Sequence, residues 1–504
     1  MGAAVTPAEI LAQRRGESWL VATGADAFWS QLAAFQVQFQ TMKPGEVLLA
    51  EPDPVRFLAA FLAAVQQPGR VWLAHPQWGT REWSQVAAQC QPDFVIGTVP
   101  AAIQSTAEIQ NSNYPPGRAK PSHIQTLEDA SPISPTLPTQ PPSYPATTIH
   151  IPTGGSSGDI RFAVHTWNTL VASVQGFCQH FDCAPVNAYC VLPLYHVSGL
   201  MQALRCLLAG GQLGVQPFRE LLAAGPLPPT LAKPTPHRFL SLVPTQLQRL
   251  LASDRDFVPW LQQFHAILLG GAPPWPSLLQ TARDLQLPLA PTYGMTETAA
   301  QVATLLPQEF LAGRTGSGRA LPHAQLQILD DADNVLAANQ VGSIAIAASS
   351  LALAVGDTAI AAPWQTGDLG YLDAAGFLQV VGRAQTLIIT GGEKVLPEEV
   401  EAAILATGRV QDCAVLGVPD ADWGEQVVAV VTSQQDPEPD LRPALQSQLS
   451  PYKIPKRWLV RADLPRNDQG KLNRAALRQW VLAQLGSTAV TTGSTPASGD
   501  GADG

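Results

Sequence analysis

Five short segments between residues 153 and 471 carry residue types that bind phosphate, ribose and a divalent cation. In chain order they are residues 153–158, 293–297, 366–368, 382–383 and a glycine turn around residue 471. Each segment is weak evidence alone. Together they offer a phosphate loop, a metal carboxylate, a ribose carboxylate and two cations. That set is what the activation of a carboxylate by ATP requires.

The first segment follows a β-like stretch, residues 147–151, and is rich in glycine and hydroxyl groups. Glycines let backbone N–H groups face a phosphate, and the hydroxyls add donors. The segment lacks the Gly-Lys-Ser/Thr ending of a Walker A loop. A flexible surface turn is the alternative for the segment in isolation. We predict that the nucleotide phosphates contact Thr153, Gly155, Ser156, Ser157, Gly158 and Arg161.

Two further segments supply carboxylates. Glu297 follows a strand-like run, residues 287–292, and Mg²⁺ prefers one or two carboxylates together with phosphate oxygens. Asp368 lies in a Thr-Gly-Asp turn, and an ionised carboxylate only accepts hydrogen bonds, which suits the two hydroxyls of a ribose. Many Gly-Asp pairs are plain turns, so that alternative stands beside the functional one.

Lys471 lies in a glycine turn just before an amphipathic stretch. Attack of a carboxylate on the α-phosphorus of ATP brings two anions together. A positioned ammonium group can bridge them and stabilise the charge that develops. We predict this role for Lys471; a solvated surface lysine is the alternative.

The five motifs, in this order, resemble the acyl-adenylate-forming family of acyl-CoA synthetases, aryl-CoA ligases, luciferases and peptide-synthetase adenylation domains. The resemblance runs from about residue 148 to about residue 485, and earlier residues match loosely. It implies an AMP-forming acid–thiol ligase that uses ATP, Mg²⁺ and coenzyme A. It assigns nucleotide contacts to Tyr293, Gly294, Thr296, Asp368 and Arg383, the metal to Glu297, and CoA contacts to Gly392 and Trp423.

Residues 192–200 resemble the acyl-pocket segment of that family. The resemblance makes His196 the gate of the carboxylate site and places Ser198 and the pair Gly270-Gly271 beside the acid substrate. Because this segment carries no acid that could hold an ammonium group, a free amino acid is a less favoured substrate.

Arg205 lies nine residues after His196, in an apolar helical run over residues 200–208. A lone buried arginine is costly unless it is paired, and an anionic substrate group would supply the partner. Within the family this spacing resembles most the ligases of o-succinylbenzoate, a dicarboxylate of menaquinone and phylloquinone biosynthesis. An arginine paired with an acid of the protein is the alternative.

Two positions depart from the family pattern. Ile160-Arg161 stands where a Pro-Lys pair is usual, and Gln385 occupies a hinge position that is usually Asp or Lys. Two other functions therefore stay open. One is a ligase of the same family with another aryl or medium-chain acid. The other is a catalytically silent homologue that binds a nucleotide as a regulator.

The elements that must position these motifs follow from composition and pattern. The 504 residues are 46% hydrophobic and can bury a large core in more than one domain. Alternating strand and helix patterns predict a large multi-layer α/β domain over residues 1–382. A small, mobile α+β domain over residues 383–486 and a disordered tail over residues 487–504 follow. Residues 111–147, crowded with Pro, Ser and Thr, predict a long exposed loop.

Several partner classes are disfavoured by the composition. A net charge of −10 argues against a nucleic-acid surface. No apolar run reaches the length of a membrane span, and the start lacks a signal-peptide pattern, so no stable membrane insertion is expected. The six cysteines form no CxxC pair, which favours a reducing cytoplasm. The oligomeric state stays open, with a homo-oligomer as one alternative.

Overall fold

The structure is a computed structural model. It describes residues 5–21, 24–43, 45–100, 103, 147–154, 160–227, 237–420, 422–433, 438–466 and 472–490. Within these ranges it contains 24 strands and 14 α-helices, numbered in chain order.

The strands up to residue 383 are β1 (Leu20–Val21), β2 (Glu46–Ala50), β3 (Gly69–Leu73), β4 (Phe94–Gly97), β5 (Thr147–Gly154), β6 (Ile160–His165), β7 (Asn187–Cys190), β8 (Leu213–Val215), β9 (Arg238–Leu242), β10 (Ala266–Leu269), β11 (Leu289–Met295), β12 (Ala300–Thr304), β13 (Arg319–Ala320), β14 (Ala324–Leu329), β15 (Gly342–Ala348), β16 (Ala354–Val355), β17 (Thr358–Ala359), β18 (Trp364–Leu372) and β19 (Leu378–Arg383).

The helices of the same part are α1 (Pro7–Gln13), α2 (Phe28–Met42), α3 (Pro54–Ala64), α4 (Thr80–Ala87), α5 (Trp167–Phe181), α6 (Val197–Leu208), α7 (Phe218–Ala224), α8 (Pro244–Leu251), α9 (Val258–Leu261), α10 (Pro276–Asp284) and α11 (Pro307–Leu311). Side chains cap the starts of α1, α3 and α5. In α3, for example, the Asp53 side chain accepts from the Arg56 N–H at 2.7 Å, and Pro54 takes the first helical position.

Two large sheets form the body of the chain. The first has the order β1-β8-β7-β9-β10-β11-β12-β13 and is parallel from β1 to β11. The second has the order β17-β16-β6-β5-β3-β2-β4, with β4, β2, β3 and β5 parallel. One large hydrophobic cluster joins both sheets to α2, α3 and α6. In open α/β sheets ligands bind beyond the carboxyl ends of parallel strands. The ends of β5, β10 and β11 carry three of the predicted site segments.

A third sheet, with the antiparallel order β14-β15-β18-β19, follows the two large ones. Gly382 and Arg383 are the last two residues of β19. Arg383 pairs with Asp368 of β18 across the ladder, where the two side chains form an ion pair. The turn that follows is the short 3₁₀ helix Ala384–Thr386, which contains Gln385.

A fourth sheet belongs to the last part of the chain. Its strands are β20 (Ile388–Thr390), β21 (Glu393–Val395), β22 (Asp412–Asp420), β23 (Gly424–Thr432) and β24 (Arg457–Arg461), and its helices are α12 (Pro397–Ala406), α13 (Glu438–Gln446) and α14 (Arg474–Val490). This part has hydrophobic clusters of its own. Pro397 begins α12, with Glu398 and Glu399 in the first turn.

The predicted fold class, a large multi-layer α/β domain followed by a small α+β domain, is confirmed. The exact domain bounds and the mobility of the small domain stay predictions. Helix α14 continues to Val490, four residues past the predicted start of the tail, and residues 491–504 lie outside the described ranges. The loop predicted over residues 111–147 also lies outside them, apart from Thr147, which begins β5. None of the described helices is long and apolar enough to cross a bilayer.

Candidate active site

Three residues predicted from separate motifs meet at the end of β11. The hydroxyl of Tyr293 donates to Asp368 Oδ2 at 2.8 Å and lies 3.1 Å from Thr366 Oγ1. Arg383 Nε lies 2.9 Å from the other oxygen of Asp368. Burial raises the pKa of Tyr293, so its phenol stays protonated and acts as a donor at neutral pH. A buried carboxyl group is therefore held by a tyrosine and an arginine at the position predicted to bind the ribose.

The predicted metal carboxylate lies beside the predicted phosphate loop. Thr153, the last residue but one of β5, donates its hydroxyl to Glu297 Oε1 at 3.1 Å. Glu297 belongs to the 3₁₀ turn Thr296–Thr298 directly after β11. Gly294 is required just before that turn, because a Cβ there would overlap the carbonyl oxygen of Ala300. The Glu297 carboxylate is partly exposed and lies next to the end of β5, which leads into the predicted phosphate loop, so its position suits a Mg²⁺ ligand.

Four members of the predicted phosphate loop, Gly155, Ser156, Ser157 and Gly158, lie outside the described residues. The strand that follows them shows why the family's proline can be absent here. Ile160 donates its N–H to Gln85 Oε1 at 2.7 Å, and its carbonyl accepts from Gln89 Nε2 at 3.0 Å. Both backbone groups of Ile160, at the position where the family has a proline, are therefore hydrogen-bonded to side-chain amides from α4 and the residues just after it. Arg161, the next residue, is exposed and faces Thr153 across the β5–β6 pair.

The acyl-pocket segment begins α6. His196 is extended, with φ −101° and ψ 150°, and forms the N-cap of that helix, so Ser198 lies in its first turn. The His196 ring lies 4.8 Å from the ring of Tyr195 and 6.3 Å from that of His75. His75 lies just after β3. The sequence analysis did not predict its place beside His196, because no motif includes it.

The predicted glycine pair lies at a neighbouring strand end. Gly270 and Gly271 follow β10, which is parallel to β11, and a Cβ on Gly270 would crowd the Thr292 side chain. The pair therefore lets the chain pass close to the strand that leads into the nucleotide motif.

Arg205 is 3% exposed on α6. Its Nη2 donates to Gln301 Oε1 at 2.6 Å, and its guanidinium carbon lies 4.2 Å from the centre of the Phe177 ring. No acid among the described residues pairs with it, and its Nε and the Nε2 of Gln301 are buried donors without an acceptor there. Burial lowers the pKa of Arg205 to about 10, so it stays charged at neutral pH. The alternative of pairing with a described acid of the protein is thus removed.

The predicted CoA residues lie at one end of the fourth sheet. Gly392 belongs to the turn between β20 and β21. Its neighbour Gly391 donates its N–H to the Trp423 carbonyl at 2.8 Å. The Trp423 ring is 48% exposed and carries the ammonium group of Lys456 3.6 Å from its centre. An exposed indole with a fixed cation offers stacking and charge to a nucleotide.

Lys471 lies outside the described residues, but both flanks of its turn are described. Arg466 holds Asp412 with two hydrogen bonds of 2.8 Å, and Arg474 lies 3.0 Å from Glu401. The flanks also meet each other through the Asn473 N–H, which donates to the Pro465 carbonyl at 2.7 Å. The described residues on either side of Lys471 are therefore bound to β22 and α12.

Sequence reasoning also missed His165, at the end of β6. Its Nε2 lies 2.8 Å from the carbonyl oxygen of Thr296, and its Nδ1 lies 3.0 Å from Thr169 Oγ1. A local signal was present, since Thr166 and Thr169 form a capping box at the start of α5. The partner is 131 residues away, which no local pattern could indicate.

Two family models match the chain. The model described as AMP-binding enzyme covers residues 11–354, and the model described as AMP-binding enzyme C-terminal domain covers residues 399–471. The first match begins far before residue 148, so the similarity reaches further toward the N-terminus than the motifs alone indicated.

Known proteins agree with these matches. The 2-succinylbenzoate–CoA ligase of Geobacillus kaustophilus is 32% identical over 346 residues, which cover 65% of this chain and 67% of that protein. The ligase of the same name from Listeria monocytogenes is 32% identical over 335 residues, with 65% and 68% covered. The structure of o-succinylbenzoate CoA synthetase (MenE) from Bacillus subtilis with the intermediate OSB-AMP superposes with a TM-score of 0.73 at 22% identity, over 93% of this chain and 97% of that one. ATP-bound MatB from Rhodopseudomonas palustris gives 0.73 at 21% identity, over 94% and 98%. The sequence-based prediction of the family is therefore confirmed, and this chain belongs to the AMP-binding enzyme family.

Proposed function

We propose that this chain is an ATP-dependent o-succinylbenzoate–CoA ligase that forms an acyl-adenylate and then a thioester with CoA. The observation that carries the choice of acid is Arg205, a buried cation with no described acid as partner, nine residues beyond the His196 gate. The names of the curated relatives support the same acid. The reaction is a step of menaquinone or phylloquinone biosynthesis, and the free state of all six cysteines suits a reducing cytoplasm.

In the first half-reaction the succinyl carboxylate attacks the α-phosphorus of ATP, and pyrophosphate leaves with the bond electrons. Asp368 accepts from the ribose hydroxyls while Tyr293 and Arg383 hold the carboxylate in place. The hydroxyl of Thr296 donates to the α-phosphate, and Lys471 bridges the attacking oxygen and the phosphate. When bound by Glu297, Mg²⁺ neutralises phosphate charge.

In the second half-reaction the CoA thiolate attacks the acyl carbonyl carbon, and AMP leaves. Gly392 and Trp423 lie on the face that would receive CoA, with Lys456 beside the indole as a cation for its phosphates. Lys471 serves the first step and the Gly392 face serves the second, so the small domain has to rotate between them. We assign the hinge to the turn Ala384–Thr386, where Gln385 lies.

Arg205 and the acyl-pocket segment divide the two carboxylates of the acid between them. The group to be activated lies at His196 and Ser198, against Gly270 and Gly271, and the ring carboxylate meets the Arg205 guanidinium. The two residues are nine positions apart on one helix that rises about 1.5 Å per residue, so they are separated by roughly 13 Å along its axis. The two carboxylates of o-succinylbenzoate lie closer together than this, so the proposal requires the imidazole and guanidinium side chains to reach toward the acid from the two ends of the helix.

Another aryl or medium-chain acid is the alternative substrate, and a silent nucleotide-binding homologue is the alternative class. Pyrophosphate release with MgATP, CoA and o-succinylbenzoate separates all three. Release with this acid, and far less with benzoate or octanoate, supports the proposal. Release with a monocarboxylate instead indicates the alternative substrate. Nucleotide binding without release from any acid indicates the silent homologue.

A further inference from the structure

The turn that carries Thr296 and Glu297 has an unusual backbone. Two consecutive residues after it, Ala299 and Ala300, have positive φ values of 50° and 85°. For a residue with a side chain this left-handed region costs about 1–2 kcal/mol, so such a turn persists only when its surroundings hold it.

Carbonyl groups of this turn are held from several directions. The Ala352 N–H donates to the Glu297 carbonyl at 2.8 Å, and Ser173 Oγ donates to the Ala299 carbonyl at 2.7 Å. Thr298 Oγ1 donates to the Ala300 carbonyl at 2.6 Å. The Thr296 carbonyl accepts the Ala299 N–H within the turn at 3.1 Å, and it is also contacted by a side chain from outside the turn. That side chain is His165, whose Nε2 lies 2.8 Å from the Thr296 carbonyl oxygen.

The protonation of His165 follows from its partners. It is fully buried, and burial lowers its pKa to about 4, so the ring is neutral at physiological pH. A carbonyl oxygen only accepts, so the single proton lies on Nε2 and is donated to Thr296. Nδ1 then carries no proton and lies 3.0 Å from the Thr169 hydroxyl, which also donates to the Thr166 carbonyl at 2.9 Å. The ring is thereby locked in one tautomer and one orientation.

His165 ends β6, and β6 pairs with β5, the strand that carries Thr153. Two hydrogen-bond contacts therefore join the β5–β6 hairpin to the turn that carries Thr296 and Glu297. One is the backbone contact from His165 to Thr296, and the other is the side-chain contact from Thr153 to Glu297. Together they set the distance between the strand that leads into the phosphate loop and the groups that meet the α-phosphate and its metal.

We propose that His165 is a positioning residue for adenylation, whose Nε2–H holds the Thr296–Glu297 turn in register with the β5–β6 hairpin. This inference rests on the proposed function, because it takes Thr296 as the α-phosphate donor and Glu297 as the metal ligand. His165 touches neither substrate nor metal and acts through the Thr296 carbonyl. A displacement of about 1 Å at such a site can cost on the order of a hundredfold in rate.

The test uses three variants of the full chain. His165→Leu removes the donor and replaces the ring with an apolar side chain of similar size. His165→Gln keeps an N–H donor near the place of Nε2. His150→Leu is the matched control. His150 is also buried, bonds to Thr148 Oγ1 at 3.0 Å and stacks on Trp72, but lies one strand away and does not touch the Thr296 turn.

Pyrophosphate release should show a fall in kcat of about 30- to 100-fold for His165→Leu. The KM for MgATP should change less than kcat, because Thr296 acts mainly on the transition state. His165→Gln should recover at least about tenfold of that loss, and His150→Leu should stay near the wild type in kcat. An equal loss in His165→Leu and His150→Leu overturns the proposal, and so does a glutamine variant no better than the leucine variant.

A second measurement does not depend on turnover. The rise in melting temperature on adding MgATP without acid should be smaller in His165→Leu than in the wild type and full in His150→Leu. If His165→Leu does not fold, His165→Asn replaces it, since its shorter amide cannot reach Thr296, and Gln must then outperform Asn. Failure of the wild type to release pyrophosphate with o-succinylbenzoate would refute the proposed function, while the MgATP comparison would still decide the role of His165.

Discussion

Replacing Arg205 with methionine should lower kcat/KM for o-succinylbenzoate far more than for the same acid without its ring carboxylate. Without the guanidinium, the ring carboxylate of o-succinylbenzoate enters a buried place with no cation. Losing a buried charged partner costs about 2–5 kcal/mol, which corresponds to roughly thirty- to several-thousand-fold in kcat/KM. The same acid without its ring carboxylate should lose much less, since it never used the cation.

The stability of the variant should change little, because two terms oppose each other. Burial lowers the pKa of Arg205 to about 10, so keeping its charge buried costs on the order of 3 kcal/mol. This cost is present at every pH below about 10, including the assay pH, and is relieved only at higher pH. Methionine removes it but leaves Gln301 Oε1 without its donor, which costs about 1–3 kcal/mol. The melting temperature should therefore stay within about 4 °C of the wild type.

Arg238→Met is the matched control. Arg238 is buried against two aromatic rings, 5.2 Å from the centre of Tyr189 and 5.1 Å from that of Phe264. It lies at the amino end of β9, on the opposite edge of the sheet from the candidate site. Its loss should not change the preference between the two acids. Equal losses in Arg205→Met for the dicarboxylate and the monocarboxylate would make Arg205 structural and remove the main support for the proposed acid.

Three further substitutions test other parts of the site. Lys471→Ala should abolish adenylation and spare thioester formation from supplied acyl-adenylate, and equal loss of both half-reactions would contradict its role. Asp412→Asn should slow adenylation about tenfold by weakening the Arg466 anchor of the lysine turn, again without slowing the second step. Gln85→Met should raise the KM for MgATP several-fold by leaving the Ile160 N–H unpaired. Adding Ile160→Pro should restore the KM because proline has no such N–H; a double variant no better than Gln85→Met would refute this account.

Local patterns were enough to predict the elements with strong periodicity and clear ends. The apolar run over residues 200–208, for example, lies in α6. Motif order was enough to bring Tyr293, Asp368 and Arg383 together. These predictions succeeded because each depends on residues close in sequence or on a site chemistry that needs all of its parts.

The unpredicted residues have in common that their partners are distant in the chain. The pairs His165 with Thr296 and Gln85 with Ile160 are 131 and 75 residues apart. A buried histidine and a half-buried glutamine have no periodic signature, and their roles depend on which strands become neighbours. The non-sequential strand orders of the two large sheets cannot be read from any single segment. The same is true of Gln301, the partner of Arg205.

Three energetically costly features occur together in one short segment, residues 296–301. It contains two left-handed alanines, the carbonyl held by the buried His165, and the amide that contacts the buried Arg205. Each feature is unfavourable for stability in its own way, through backbone strain, burial of a titratable ring or burial of a charge. Their coincidence between the nucleotide motif and the proposed acid site indicates that this segment joins the two sites, because a shift in its backbone would displace the α-phosphate donor and the Arg205 partner together.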